Sequence, residues 1–150
     1  KRISIPVLND ILFSNEEPAR TSRYVISVNE LNEEHYSSGV WISTASGSTG
    51  GIRSAGGNVI DLPSKEFQFK VREILRKEGE IFNLTQGMLN EKYEINFLSK
   101  MKKGLISIDG HNLKIKVTLA DKITVRGGTN PLIVFGINEK ARNEFANSII

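Results

Sequence analysis

Apolar residues fall at every second position over much of this chain, a period that a strand with one buried face satisfies and a helix does not. Ile3, Ile5 and Val7, then Ile11 and Phe13, alternate with polar neighbours, and Tyr24, Ile26 and Val28 repeat the pattern. Further strands are predicted at 40–42, 67–74, 93–98, 105–108, 113–119, 123–125 and 132–135. Turn-forming residues separate them at 15–18, 109–110, 120–121 and 126–131. Helical periodicity is scarce. Residues 138–148 carry one helix, with Asn138 as its N-cap and Ala141, Phe145 and Ala146 on a shared face. A shorter helix is predicted to start near Ser48 and to stop at Gly56-Gly57, where glycine supplies the left-handed residue. Many short strands with few helices predict an all-β fold, a β-sandwich or curled double sheet. With 150 residues, 39% of them hydrophobic, the chain can bury one core, and no repeat or low-complexity linker divides it, so 1–150 reads as a single domain.

Composition removes several classes of function. There are no cysteines, hence no disulfides, thiolate nucleophiles or Cys-type zinc sites. No apolar run approaches the length of a membrane span, and the N-terminus lacks a signal-peptide core, so the expected location is the cytoplasm, with no membrane partner. The excess of 20 basic over 17 acidic residues is small. The basic stretches 65–77 and 100–103 are interrupted by acidic or apolar residues, the mark of a solvated strand face rather than of a nucleic-acid reader. The opening Lys1-Arg2-Ile3 enters an apolar run at once, without an initiator Met, and reads as part of a longer protein.

Small polar residues and glycines concentrate between Ser37 and Gly57. A buried strand there runs into a Gly/Ser/Thr loop and then a helix start. Such a loop suits an anionic or sugar-bearing ligand, because glycines admit close approach, N–H groups point outward and hydroxyls donate or accept. It equally suits a structural turn. No Lys follows the glycines as in a P-loop, and the Gly-x-Gly-x-x-Gly fingerprint is absent.

Ser43-Thr44-Ala45-Ser46-Gly47-Ser48-Thr49, followed by Ser54-Ala55-Gly56-Gly57, resembles the signature of the NAD kinase family, a Thr-Pro-Thr-Gly-Ser-Thr-Ala-Tyr loop preceding Ser-Ala-Gly-Gly. Val7-Leu8-Asn9-Asp10-Ile11 is similar to the family's apolar-Asn-Glu-apolar strand, and Ile106 to Gly110 to its late strand ending in Asp-Gly. The resemblance spans about residues 5–136. It implies the family's C-terminal β domain, whose partner is an N-terminal α/β domain, with NAD between them. The implied reaction transfers a phosphoryl group from ATP or polyphosphate to the 2′-hydroxyl of the adenosine ribose, with a divalent metal such as Mg, and yields NADP.

By the same resemblance, Asn9 contacts the nucleotide and Asp10, standing where Glu is usual, accepts a ribose hydroxyl. Thr44, Ser46, Gly47, Ser48, Thr49 and Gly50 close around the adenosine end, with Thr49 the foremost hydroxyl, and Ser54 belongs to the same binding set. Ala45 replaces the family proline, Gly51 the tyrosine, and Ser38 an Asp that reaches the ligand from a neighbouring subunit. A homo-oligomer is therefore expected, with the 38–54 segment near its contact. The family's catalytic Asp lies in a Gly-Gly-Asp-Gly motif that this sequence lacks, so no catalytic residue is assigned here and the chain alone is expected to be inactive.

Arg53 has two readings, a phosphate contact or an ion pair with Asp61. His35, read as part of a polar loop, and His111, in an exposed turn, are assigned to no metal. Trp41 reads as core and Asp109 as a hairpin-turn residue. Two competing functions remain in view: a related lipid or sugar kinase domain, and a non-catalytic β-sandwich interaction module.

Overall fold

The computed structural model describes residues 3–130, 132–133 and 135–148. Within them lie β1 (Asp10–Asn15), β2 (Ser22–Val28), β3 (Leu31–Ser37), β4 (Val40–Thr44), β5 (Phe67–Val71), β6 (Gln86–Leu89), β7 (Glu94–Ser99), β8 (Gly104–Ile108), β9 (Leu113–Val117) and β10 (Lys122–Arg126). A six-stranded sheet has the order β6-β5-β4-β1-β8-β9 and a four-stranded sheet the order β10-β7-β2-β3. Each neighbouring pair is antiparallel. The expected all-β double sheet is the fold observed.

Register explains the core. Ile11 lies opposite Ile42 and Ile108, and Phe13 opposite Val40 and Ile106, so one face of the larger sheet is a continuous apolar layer. Tyr24, Ile26 and Val28 pair with β7 so that Ile95 and Phe97 share their face of the smaller sheet. The layers meet at Phe13, Tyr24 and Phe97, whose ring centroids lie 5.5 to 5.8 Å apart in tilted or edge contacts. Truncating one of these rings would cost about 3–5 kcal/mol.

Several expectations fail, each for a physical reason. Residues 3–7 form no strand, although Ile5 and Val7 still pack against the core. The 67–74 strand stops at Val71, and 132–135 gives no strand in its described residues, with Leu132, Ile133 and Phe135 exposed; 131 and 134 lie outside the described residues. β3 and β6 were not foreseen. His35 is no loop residue: it sits in β3 opposite Tyr24, fully buried, with Nε2 3.1 Å from Glu33 Oε2. Ser37, its neighbour on that face, meets the Tyr24 hydroxyl at 3.0 Å. Polar residues at inward positions hid this strand from an apolar count; hydrogen bonds to Glu33 and Tyr24 offset part of the cost of their burial, while His35 Nδ1 is buried without a partner among the described residues. Trp41 is half-buried rather than core, because alternation turns it to the outer face of the larger sheet, against Gly51.

The short predicted helix resolves into a 3-10 turn, Ser46–Thr49, and a single helical turn α1 (Gly51–Ser54). Its stop is as expected: Gly56 has φ +85°, and the N–H groups of Gly56 and Gly57 reach Arg53 O and Ile52 O, both at 2.9 Å. The later helix, α2 (Glu139–Ser148), begins where Asn138 caps the Ala141 N–H at 3.1 Å. Its inward face is Glu139, Arg142, Asn143 and Ala146, however, while Ala141 and Phe145 point to solvent.

Candidate functional site

β1 runs antiparallel to both β4 and β8, so its first residues meet the last residues of those two strands at one end of the larger sheet. Asp10 opens β1 opposite Ser43. Beyond β8, Asp109 adopts φ +49° and swings its carboxylate under the chain that leads into β1. The carboxylate accepts the N–H groups of Leu8 at 3.0 Å, Asn9 at 2.6 Å and Asp10 at 3.2 Å, and the Asp109 N–H returns to Asp10 O at 2.9 Å. Asp109 is thus a turn residue, as expected, and it also fixes the Asn9-Asp10 backbone.

The Gly/Ser/Thr loop closes over the same segment. Thr44 donates its hydroxyl to Leu8 O at 2.5 Å and its N–H to Asn9 O at 2.9 Å, and the Ser46 hydroxyl donates to Asn9 Oδ1 at 2.8 Å. Gly47 lies so close that a Cβ there would stand 2.2 Å from Asn9 O, closer than any side chain permits. Ser48 is fully buried; its hydroxyl donates to Ala45 O at 2.8 Å and accepts the Ile60 N–H at 2.9 Å. The Thr44 and Ser48 hydroxyls are therefore both bonded within the protein.

Thr49, Gly50 and Ser54 face outward or partly so, and among the described residues the Thr49 hydroxyl makes no hydrogen bond. The Asp10 carboxylate lies beside Gly50, 3.6 Å from where a Cβ would stand. Burial, and after it the nearby Asp109 carboxylate, push the Asp10 carboxyl above its ordinary value. A partly desolvated carboxylate beside a free hydroxyl and an open glycine can accept sugar hydroxyls and seat a ligand against backbone. It contains no nucleophile paired with a base.

Arg53 does not pair with Asp61. Its guanidinium donates to Gly57 O at 3.0 Å and to Asn147 Oδ1 at 3.3 Å, while Asp61 receives Asn143 instead at 3.3 Å. Ser38 stands at the opposite end of β4 from the loop, about 20 Å away along a strand rising ~3.3 Å per residue. Ile52, inside the segment expected at a subunit contact, is fully buried under the loop. The 100–103 stretch borders a cleft of about 540 Å³ with Arg20 and Arg23, where Glu17 and Glu34 pair with Arg20, Lys103, Arg23 and Lys100, as a solvated face should.

Two residues that support the site carry no signal in the sequence. Gln68, 3% exposed, accepts the Asn58 N–H at 2.9 Å and donates to Asn58 O at 2.6 Å, fixing the chain after the Gly56-Gly57 stop. Arg142 reaches from α2 into the carbonyls of the loop, across a sequence separation of 96 residues to Ser46. No local pattern encodes such a contact.

No protein-family model matches the chain. It is 29% identical over 124 residues to a protein of Oryza sativa subsp. japonica described as a probable NADH kinase, covering 79% of this chain and 38% of that protein. It is 36% identical over 101 residues to an NADH kinase of Arabidopsis thaliana, covering 66% of this chain and 31% of the relative. The chain thus spans about a third of the length of these relatives. An NAD kinase from Archaeoglobus fulgidus, solved with ATP, superimposes with a TM-score of 0.74 at 20% identity over 95% of this chain and 55% of that one. Yeast NADH kinase, solved with NADH, does so with a TM-score of 0.67 at 18% identity over 81% of this chain and 34% of that one. The shared β fold, the kinase relatives and the loop packed on Asn9-Asp10 point the same way: this chain is similar in sequence to NADH kinases and has the fold of the C-terminal β domain of NAD kinases.

Proposed function

We propose that this chain forms the dinucleotide-holding wall of a kinase that phosphorylates the 2′-hydroxyl of the adenosine ribose of NAD or NADH, producing NADP or NADPH. The observation that carries the reading is the seam at the end of the larger sheet, where Gly47 packs on Asn9 and leaves Asp10, Thr49 and Gly50 together at the surface. In this reading Asn9, Asp10, Ser46, Thr49, Gly50 and Ser54 face the ligand, while Thr44, Gly47 and Ser48 shape the loop. Arg53 meets phosphate only if it releases Gly57 and Asn147.

The opposite wall, the catalytic Asp and most of the ATP site belong to an N-terminal α/β domain. Phosphoryl transfer rests on positioning and electrostatic stabilisation, which half a cleft cannot supply. The reaction calls for a divalent metal, and among the described residues no three His, Cys, Asp or Glu side chains gather to hold one. Among the described residues no helix is long and apolar enough to cross a membrane, and a cytoplasmic setting is part of the proposal. So is a homo-oligomer, in which Ser38, far from its own loop, would serve the site of a second copy.

Calorimetric titration with NAD and NADH tests the reading, since both curated relatives bear NADH kinase names. The expected result is weak, specific binding that strengthens when an N-terminal α/β domain is added, together with NADP formation from ATP and Mg only then. Equal binding of an unrelated sugar phosphate or lipid headgroup would turn the assignment toward a lipid or sugar kinase, and no binding of any of these toward an interaction module.

A further inference from the structure

Helix α2 is held to the sandwich by polar groups, and the one at its centre grips the loop rather than the sheet. The Arg142 guanidinium donates to the carbonyl oxygen of Ala45, to Ser46 O at 3.4 Å, to Ser48 Oγ at 3.2 Å and to Ile60 O at 3.3 Å. To either side, Glu139 accepts the Leu62 N–H at 2.7 Å, Asn143 donates to Asp61 at 3.3 Å and Asn147 accepts from Arg53 at 3.3 Å. Ala146 is the one residue of the helix that is fully buried among those described, and Phe145 is 69% exposed.

An interface with so little apolar area gains little from the hydrophobic effect. Its charge-assisted bonds are directional instead, and a small rotation of the helix loses them together. Ala45 and Ser46 open the 3-10 turn whose far end carries Thr49 and Gly50, so whatever holds those two carbonyls aims the turn. We infer that Arg142 is a positioning residue for the dinucleotide loop, and that docking of α2 and the binding shape of the loop are one equilibrium. The inference rests on the functional reading above. By linkage, a ligand that selects the shaped loop tightens α2 docking by the same factor that docking tightens the ligand. Lysine cannot replace the group, since an ammonium lacks the planar fork that spans several acceptors at once.

Amide hydrogen exchange of the 150-residue chain, with and without millimolar NADH, tests this. Arg142→Ala is expected to speed exchange across 45–50 at least tenfold, Arg142→Lys to recover only part of the protection, and NADH to slow exchange across 139–148 in the wild type but not in Arg142→Ala. Unchanged loop exchange in Arg142→Ala overturns the inference, as does NADH that binds and leaves 139–148 unaffected. Should Arg142→Ala fail to fold, Glu139→Ala removes the acceptor of the Leu62 N–H and loosens the helix from its other end with the guanidinium retained. It must then speed helix and loop together, and helix acceleration without loop acceleration is again a refutation. A wild type that binds no NADH refutes the functional reading and the linkage, while loop exchange still decides whether Arg142 sets the shape of the turn.

Discussion

Replacing Gly47 by Ala places a methyl group inside the seam that builds the site. The added Cβ would lie 2.2 Å from Asn9 O, 2.5 Å from Asn9 C and 2.9 Å from Asn9 Cα, all backbone atoms that cannot rotate away. To restore the 3.4 Å at which ordinary contact begins, loop and strand must part by about 1.2 Å. The bonds crossing the same seam, Thr44 N–H to Asn9 O at 2.9 Å and Ser46 Oγ to Asn9 Oδ1 at 2.8 Å, would then exceed hydrogen-bonding distance. Overpacking costs ~1–3 kcal/mol, and two lost bonds add ~1 kcal/mol each, giving about 3–5 kcal/mol. At ~2–4 °C per kcal/mol for a domain of this size, the melting midpoint should fall by about 10 °C. Gly128→Ala is the control, because a Cβ there meets nothing within 4 Å. Calorimetric melting of the two variants beside the wild type measures the difference. A Gly47→Ala midpoint within about 3 °C of wild type, on the same ~2–4 °C scale, would mean that the seam is slack and that the loop does not depend on Asn9.

Thr49→Val should weaken dinucleotide binding by roughly 1 kcal/mol, the net worth of one hydrogen bond, and leave the melting midpoint unchanged because the hydroxyl has no partner among the described residues; an unchanged affinity in titration removes Thr49 from the site. Asp10→Asn should raise the midpoint at pH 7 while weakening ligand binding. The folded carboxyl is pushed up by burial and by Asp109, so its ionised form opposes folding at neutral pH, and the gain should vanish below the ordinary carboxylate value of 3.8, where both states are protonated. Melts at pH 7 and 3.5 check this, and a loss of stability at pH 7 contradicts it. Burial holds the His35 imidazole below its ordinary value of 6.5, against the opposing pull of Glu33. Stability carried by the neutral ring is present above pH 6.5 and is lost as pH falls through it, by at most ~1.4 kcal/mol per pH unit. Denaturant titrations from pH 7.5 to 5 should show that slope, and His35→Gln should flatten it even as it lowers stability.

The alternation of Ile11 with Phe13 and of Tyr24, Ile26 and Val28 was sufficient to predict a double-sheet β fold, because a period of two leaves an apolar chain no other way to bury one face. The Gly56-Gly57 stop and the Asn138 cap were also readable, since each depends on a few adjacent residues. The loop that packs on Asn9-Asp10 was visible as a motif.

Contacts between distant residues decided the rest. β3 buries His35 and Ser37, polar residues bonded to Glu33 and Tyr24, partners that a count of apolar positions does not weigh. Helix α2 turns Phe145 outward because Arg142, Glu139 and Asn143 find the loop and the 60–62 chain, groups that only the folded backbone brings within reach. Thr44 and Ser48 resemble ligand hydroxyls in sequence, and only the fold shows that both hydroxyls also tie the loop to Leu8 and Ile60. Composition and period fix which faces are apolar. Which polar group meets which acceptor depends on register and strand order, and these appear only when the sheets assemble.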